Sequence, residues 1–193
     1  MEDIQFKIDQ VTPKTDRHVF VFDLDNTLVK TNRANNKAYK EAIQIVLGNV
    51  ATIRKGRITR SDLLTFFPGL SKPQFDAIVK LKEDLYVKYL HETALNKQLS
   101  KMLKLLKEEG NETILLTECS RIRANQVCDY YSVTPLFNKL YFKEDYKNGN
   151  KYQFLETMIP SICSVVLFEN EKSEIKRARK HGLLENQIIT IKF

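Results

Sequence analysis

Two acidic residues stand two positions apart at the end of a short apolar run, and they are the residues of this chain best placed for chemistry. The run is Val19 to Phe22, and Asp23, Asp25 and Thr27 follow it. Branched and aromatic residues in an unbroken run are typical of a strand buried on both faces. In an open α/β sheet, ligands bind beyond the carboxyl ends of the strands. The sequence therefore predicts that both carboxylates lie where ligands bind.

Three interpretations of this loop compete. A turn rich in Asp and Asn at the end of a strand would account for a single acid. A calcium loop of the EF-hand type needs Gly at its sixth position and Glu at its twelfth, and this chain has Leu28 and Ala34 there. Third, an apolar strand followed by D-x-D-x-T resembles the nucleophile loop of the haloacid dehalogenase-like phosphohydrolases. The strand, both acids and the threonine all match, which favours the third interpretation.

Helical and strand patterns alternate through the rest of the chain. Further strands are predicted at 113–117, 139–142, 164–168 and 188–193. Strands separated by amphipathic helices indicate an α/β fold with a doubly wound parallel sheet. Additional helices lie between the first two strands of this series, and the resemblance identifies them as an inserted helical cap. We therefore expect an α/β core of residues 1–32 and 95–193 and a cap of residues 33–94.

A phosphate site made of carboxylates needs cations and hydrogen-bond donors, because its negative charges would otherwise repel one another. Thr117 closes the second strand, where the family has its Ser or Thr, although Glu118 follows it where the family more often has a small or neutral residue. The candidate lysines are Lys139, Lys143, Lys147 and Lys151. Lys151 begins an amphipathic helix and matches the family's third motif best, and Lys147 is the second choice.

The fourth motif of the family is represented by VVLFENEKSEIKRARKHGL. In this register the first metal-binding Asp is replaced by Asn170, and the second acid is Glu174. An Asn carbonyl can bind Mg²⁺ but adds no charge, and this ion prefers carboxylate oxygens. Three alternatives stay open: Glu169 replaces the missing acid, the metal binds more weakly, or this surface has lost its ion.

The resemblance implies a Mg²⁺-dependent phosphatase. Asp23 would attack phosphorus and form an aspartyl-phosphate, and Asp25 would act as general acid and then as general base. Mg²⁺ would be bound by Asp23, the backbone carbonyl of Asp25 and the acidic loop at 169–174. Thr117, Lys151 and backbone N–H groups near Leu24 would hold the phosphate oxygens. Carbon–halogen hydrolases of this family lack an acid at the position of Asp25, so a phosphatase is favoured over a dehalogenase.

The net charge of +7 is concentrated in one part of the chain, because residues 30–112 carry 16 Lys and Arg against 9 Asp and Glu. Arg54 and Arg57 lie in the densest basic stretch. Such a stretch is either a solvated face or a field that concentrates an anionic substrate. Since the cap selects substrates in such enzymes, the second alternative implies a small-molecule phosphomonoester with a further anionic group, such as a nucleotide or sugar phosphate. Nucleic acid is not favoured as a partner, because no aromatic stacking motif accompanies the charge.

Other features of the sequence bear on membrane insertion, on the state of the cysteines and on location. No stretch approaches the roughly 20 apolar residues that span a bilayer. The three cysteines are an odd count without a metal-ligand spacing, so we expect reduced thiols and a cytoplasmic location. The oligomeric state stays open. Two alternatives to the phosphatase remain: a catalytically weakened binding or regulatory protein on the same scaffold, which Asn170 and Glu118 motivate, and a phosphomutase.

Overall fold

The structure is a computed structural model that describes residues 18–48, 53, 56–146, 150–159 and 164–193. The chain divides into two compact units. The core unit runs to Val29 and resumes from Leu95 to Phe193, and the helical unit is Lys30–Ala94. The boundaries expected from the sequence, at 32/33 and 94/95, lie at or within three residues of these two points.

The core unit is built on a five-stranded sheet. In chain order, the strands of the described residues are β1 (Val19–Phe22), β2 (Val29–Lys30), β3 (Ala94–Leu95), β4 (Glu112–Leu116), β5 (Lys139–Tyr141), β6 (Val165–Glu169) and β7 (Ile188–Thr190). The sheet has the order β5-β4-β1-β6-β7, and each neighbouring pair is parallel. Strands β2 and β3 form a separate two-stranded ribbon where the chain passes between the units. The parallel α/β sheet predicted from the sequence is thereby confirmed.

Helices connect these strands. They are α1 (Asn32–Leu47), α2 (Arg60–Phe66), α3 (Lys72–Tyr86), α4 (Lys97–Glu108), α5 (Arg121–Tyr130), α6 (Lys151–Met158) and α7 (Lys172–Lys180). Short 3₁₀ helices lie at Val87–Glu92, Thr134–Leu136, Lys143–Asp145 and Glu185–Gln187. The last strand is shorter than predicted, because its pairing partner β6 ends at Glu169, which lies opposite Thr190. Among the described residues, no helix is long and apolar enough to cross a membrane.

The register of the sheet brings three loops to one edge. Phe22, the last residue of β1, lies opposite Leu115 of β4 and Phe168 of β6. The backbone N–H of Asp23 donates to the carbonyl of Phe168 at 3.1 Å, so the first acid is tied to the neighbouring strand. The loops after β1, β4 and β6 therefore leave the sheet at the same level, which is the edge where ligands bind in such folds.

Apolar side chains fix the central strands on both faces. On one face, the rings of Phe22 and Phe168 stack at 4.4 Å between centroids. On the other, Val21 and Leu167 belong to a buried cluster with Tyr152 of α6. A strand covered on both faces has little freedom to shift along its neighbours, because a slip would expose its apolar side chains. The loop that carries Asp23 therefore starts from a rigid support.

The helical unit has an apolar core of its own. It is formed mainly by α1 and α3, and its buried residues include Tyr39, Ile43, Leu63 and Ile78. Helix α3 begins with a capping box in which Ser71 and Gln74 each accept from the other's backbone N–H. Because this unit has its own buried cluster, it can hold a surface of defined shape.

Candidate active site

The loop after β1 is a tight turn closed by its own backbone. The N–H groups of Leu28 and Val29 both donate to the carbonyl of Leu24, at 3.1 and 3.0 Å. Asn26 adopts a left-handed conformation with φ of 60°, which Asn tolerates better than most residues. The Leu24 side chain is fully buried, and Asp23 is 5% exposed. The turn thus anchors its apolar residue inside and fixes the backbone that presents the two acids.

Asp23 is a buried carboxylate with two side-chain donors. Lys151 Nζ donates to Oδ1 at 2.9 Å, and Thr27 Oγ1 lies 3.1 Å from Oδ2. Burial raises the pKa of Asp23 from 3.8 to about 7, and the nearby Glu169 and Asp25 add to the rise while Lys151 opposes it. In this environment the ionised form of Asp23 needs more positive charge than Lys151 alone provides.

Lys151 is shared between two carboxylates. Besides Asp23, its Nζ donates to Oε2 of Glu169 at 2.6 Å. Burial by itself would lower the pKa of Lys151, but Asp23 and Glu169 raise it well above its ordinary value. The lysine is therefore a permanent cation at the carboxyl edge, at the position that the sequence favoured. Lys147, the second choice, lies outside the described residues.

Glu169 accepts from four donors. Its Oε2 accepts from Lys151 Nζ at 2.6 Å and from the Tyr152 hydroxyl at 2.8 Å. Its Oε1 accepts from the backbone N–H groups of Asn170 and Glu171 at 2.9 and 3.1 Å. A carboxylate has about four lone-pair sites, and all four are used here. Of the three alternatives left open, replacement of the missing ligand by Glu169 is the one that this geometry favours least, because Glu169 holds Lys151 and shapes the loop after β6.

Thr117 follows β4 on the strand next to β1. Its side chain is buried, its Oγ1 accepts from the backbone N–H of Cys119 at 3.2 Å, and its carbonyl accepts from the Tyr146 hydroxyl at 2.7 Å. Thr117 Oγ1 is thus held at the carboxyl edge with its proton available for another acceptor. Glu118 is exposed, so its charge is solvated.

Arg123 is a site residue that the sequence analysis missed. Its Nη2 donates to Oδ2 of Asp25 at 2.6 Å, and its Nε donates to Cys119 Sγ at 2.8 Å. Arg123 is 8% exposed, so this ion pair is partly removed from solvent. In the sequence, Arg123 lies four residues before Val127 on the buried stripe of α5, but a single Arg on an apolar stripe does not indicate which carboxylate it contacts.

The loop after β6 brings Asn170 to Asp23. Thr27 Oγ1 lies 2.9 Å from Asn170 Oδ1 and 3.1 Å from Asp23 Oδ2. A hydroxyl has one proton, so it can serve only one of these two oxygens at a time. Glu174 lies on α7, where one oxygen binds Arg177 and the other, Oε2, is buried without a hydrogen-bond partner. Burial raises the pKa of Glu174.

The oxygen atoms of this site suit a hard divalent cation, although few of them carry a charge. Among the described residues, no three His, Cys, Asp or Glu side chains gather as ligands, so a cation here would also need amide or water oxygens. Oxygens suited to such a cation are Asp23 Oδ2 and Asn170 Oδ1, which share the Thr27 hydroxyl, and Oε2 of Glu174, which is buried without a hydrogen-bond partner. Mg²⁺ is commonly bound through one or two carboxylates together with waters. The residues therefore suit Mg²⁺, with an amide where a carboxylate would bind more tightly.

The predicted residues of the basic stretch belong to the helical unit. There, Arg57 Nη1 donates to Thr31 Oγ1 at 3.2 Å and to Asn32 Oδ1 at 3.1 Å. Arg54 lies outside the described residues. Among the described residues, hydrogen bonds thus link the side chains of Asp23, Thr27, Lys151, Tyr152, Glu169 and Asn170, all in the core unit, where Asp25 is paired separately with Arg123.

The comparison with protein families agrees with this fold and these motifs. The family model of the haloacid dehalogenase-like hydrolases matches residues 20–183. The chain therefore belongs to the haloacid dehalogenase-like hydrolase family. No curated protein sequence matches it.

Solved structures with the same fold are distant in sequence. A putative phosphatase from Clostridium difficile is 16% identical, with a TM-score of 0.69 over 88% of this chain and 84% of that one. CbbY from Rhodobacter sphaeroides, in complex with xylulose-(1,5)bisphosphate, is 16% identical, with a TM-score of 0.72 over 87% and 84%. A putative beta-phosphoglucomutase from Thermotoga maritima is 20% identical, with a TM-score of 0.70 over 91% and 86%. At these identities the likeness establishes the fold.

Proposed function

We propose that this protein is a Mg²⁺-dependent phosphatase that hydrolyses a small-molecule phosphomonoester through an aspartyl-phosphate intermediate on Asp23. The observation that carries the proposal is the buried pair of carboxylates, Asp23 and Glu169, that share a single Lys151. With both carboxylates ionised, this group has a net charge of −1 in a buried setting, which is costly unless another cation joins it. A divalent cation bound beside Asp23 would offset that charge and favour the binding of a phosphate.

The first half of the reaction uses Asp23 and Asp25. An Asp23 oxygen attacks phosphorus, the bond to the ester oxygen breaks, and Asp25 gives its proton to the leaving alcohol. In the second half, Asp25 takes a proton from water, the water oxygen attacks phosphorus, and Asp23 is released with inorganic phosphate. Covalent capture divides one difficult displacement into two easier ones. The ion pair with Arg123 keeps the carboxylate of Asp25 oriented between these steps.

Other residues hold the transferring group. Lys151 contacts Asp23 and is available to a phosphate oxygen, and such a charge-assisted contact is worth roughly 1.5–3 kcal/mol. Thr117 Oγ1 and the backbone N–H groups near Leu24 supply further donors. When bound by Asp23, the Asp25 carbonyl and Asn170, Mg²⁺ would neutralise charge between the nucleophile and the phosphate.

We propose that the helical unit serves as the cap that selects the substrate. Its basic residues, among them Arg57, favour a substrate with a second anionic group, such as a sugar phosphate or a nucleotide. The CbbY relative, which was solved with a sugar bisphosphate, gives a chemical precedent on the same fold. The three cysteines, an odd count without a metal-ligand spacing, lead us to propose that the enzyme acts in the cytoplasm.

Two other functions are kept as alternatives. A binding or regulatory protein with weakened catalysis is favoured by Asn170 at a metal position and by the ion pair that engages Asp25. A phosphomutase would use the same side chains, and it would retain the phosphate on a sugar through a bisphosphate intermediate.

Hydrolysis of an aryl phosphate distinguishes these functions. We expect turnover with Mg²⁺, and its loss both with EDTA and in Asp23→Asn. Asp76→Asn, the same chemical change on the exposed surface of α3, is the matched control and keeps full activity. If a broad panel of phosphate esters shows no turnover at any Mg²⁺ concentration, the binding protein is correct. Conversion of a sugar monophosphate into its positional isomer, with the phosphate kept on the sugar and none released, indicates the mutase.

A further inference from the structure

The position of Lys151 depends on how α6 begins, because Lys151 is its first residue. The residue before it, Asn150, caps the helix: its Oδ1 accepts from the backbone N–H groups of Tyr152 and Gln153 at 2.9 and 3.0 Å. The first turn of α6 contains no acidic residue that could replace this cap. A polar cap of this kind stabilises the start of its helix.

The two hydrogen bonds of the cap fix the orientation of the Asn150 amide. Because Oδ1 faces the helix, the NH₂ group points away from it, and Nδ2 lies 3.0 Å from Nε2 of His181. An amide NH₂ can only donate, so Nε2 of His181 must accept. The proton of the neutral ring is then on Nδ1, which lies 3.2 Å from Oε2 of Glu156. One tautomer of neutral histidine therefore satisfies every contact.

We propose that His181 is a positioning residue: through Asn150 it holds the amino end of α6, and with it Lys151, and a solvent proton taken up at Nε2 releases this hold. His181 lies directly after α7, the helix that follows the loop of Asn170. Its contact with Asn150 therefore connects the end of α7 to the start of α6, which carries Lys151. It touches no reacting atom. The importance of Lys151 rests on the proposed function, whereas the hold on α6 does not.

Protonation would place two donors against each other. With a proton on Nε2, the ring nitrogen and Asn150 Nδ2 would both present hydrogens across 3.0 Å. If the Asn150 amide turned over to offer its oxygen to the ring, the NH₂ group would face the N–H groups of Tyr152 and Gln153 instead. Either response loses hydrogen bonds at the start of α6. The structure offers no arrangement of this amide that serves both the helix and a charged ring.

The charges around the ring act in opposite directions. Glu156, on α6, favours the added proton, although its side chain is 57% exposed and its field is screened. On α7, Lys180 precedes the histidine and opposes the proton, while Arg177 and Arg179 are paired with Glu174 and Glu185. Lys151 itself faces Asp23 and Glu169. The release is therefore tested by lowering the pH and by replacing the ring.

Hydrogen exchange at two amides tests the hold without reference to activity. We expect the protection of the Tyr152 and Gln153 amides, measured by NMR on the full chain, to fall by about five- to tenfold as the pH is lowered from 8 to 5. His181→Gln offers a neutral acceptor and keeps the protection at every pH. His181→Lys offers only donors and loses it at every pH. His91→Gln removes a histidine of the helical unit and leaves the response to pH intact.

Turnover of an aryl phosphate at saturating Mg²⁺ is then followed with the same variants. The acid limb of kcat should flatten in His181→Gln, which a purely structural role of the ring would not cause. If protection in the wild type does not change with pH, or if His181→Lys is as protected as the wild type, the inference is wrong. If the exchange pattern is found in a protein that hydrolyses nothing, the hold is correct and the proposed function fails.

Discussion

Asp23 is the residue at which burial and charge oppose each other most directly. Its raised pKa of about 7 means that the fold favours the protonated form. The contribution of such a group to stability is present below its ordinary pKa and is lost as the pH rises through the raised one. In metal-free protein, we therefore expect Asp23 to reduce the free energy of unfolding between about pH 4 and 7, by about 2–4 kcal/mol.

The pH dependence is measured by denaturant unfolding in EDTA, with Asp23→Asn for comparison. At pH 8 the variant should be the more stable protein, because it carries no buried charge, and at pH 4 the two should be nearly equal. Mg²⁺ should raise the stability of the wild type at pH 8 and leave that of the variant almost unchanged. Equal stability of the two metal-free proteins at pH 8 would show that Lys151 alone balances Asp23.

Asn170 limits the charge available to a metal. Its Oδ1 lies within hydrogen-bonding distance of the same hydroxyl that contacts Asp23, so an oxygen at this position is well placed to share a cation with that acid. We expect Asn170→Asp to lower the Mg²⁺ concentration for half-maximal rate by about tenfold, because a carboxylate binds this ion more strongly than an amide. Asn111→Asp adds the same charge elsewhere in the core unit as a control. An unchanged requirement for Mg²⁺ would assign the ligand role to Glu174 or another acid.

Arg123 orients the carboxylate that the proposed mechanism uses twice. When the guanidinium of Arg123 is removed, Asp25 can still exchange a proton, but its carboxylate loses the partner that lies at 2.6 Å. We expect Arg123→Gln to lower kcat by about ten- to hundredfold with little change in KM, since a misplaced catalytic group is costly even when the substrate still binds. Arg121→Gln, on the same helix and paired with Asp145, is the control. A larger loss in KM than in kcat would instead make Arg123 a substrate-binding residue.

Some residues of this site can be predicted from the sequence and others cannot, because some depend on local order along the chain and others on contacts in the folded protein. Asp23 and Asp25 follow a buried strand and are recognisable because local order along the chain determines their place. Arg123 reaches Asp25 across 98 positions, and Lys151 reaches Asp23 across 128, so these contacts exist only in the folded chain. Lys151 was identified through a helix start, whereas Arg123 had no comparable local signal. The saturation of Glu169 by four donors likewise depends on the path of the loop after β6.

At the scale of elements, the junction between α4 and β4 shows how a strand end is placed. Helix α4 ends at Glu108, and Gly110 follows with φ of 79°, a conformation that side chains with a Cβ rarely adopt. The Asn111 N–H donates to the carbonyl of Leu106 at 3.1 Å and completes the turn into β4. A Gly after an amphipathic pattern is a local signal for such an end, because a helix often ends with Gly in the left-handed region.

Gly110→Ala should therefore destabilise the protein through backbone conformation. A Cβ at this position would meet nothing within 4 Å, so crowding makes no contribution. We expect a loss of about 1 kcal/mol in the free energy of unfolding. Gly69→Ala, which also has open space but no positive φ, should be neutral or slightly stabilising. Equal effects of the two substitutions in a denaturant titration would contradict this account of the junction.

Element boundaries were predictable where a local signal marks them and were less so elsewhere. Helix α6 begins at Lys151, where the sequence predicted that an amphipathic helix starts. Helix α1 begins at Asn32 with Asn32, Arg33 and Asn35 in its first turn, so an apolar pattern alone does not mark its start. The partners of a side chain are harder to predict from the sequence than the start of a helix. Asn150 contacts His181, 31 positions later, because two helices pack together in the folded chain.

At the scale of the whole molecule, the chain separates its charges between its two units. The basic stretch predicted to attract an anionic substrate lies in the helical unit, and the carboxylates lie in the core unit. A surface of one sign can raise the local concentration of an oppositely charged ligand, and this effect weakens with salt. The division agrees with the proposal that one unit performs the chemistry and the other selects the substrate.

Arg57 tests this division of labour. Its guanidinium is held by Thr31 and Asn32, which leaves a fixed cation in the helical unit. We expect Arg57→Gln to raise KM for a sugar bisphosphate or a nucleotide by about tenfold, the effect of losing one charge-assisted hydrogen bond. KM for an aryl phosphate, which has no second anionic group, should stay the same. Arg60→Gln, three positions along and near Glu83, is the matched control. If Arg57→Gln affects both kinds of substrate equally, Arg57 supports the fold of the helical unit and does not select the substrate.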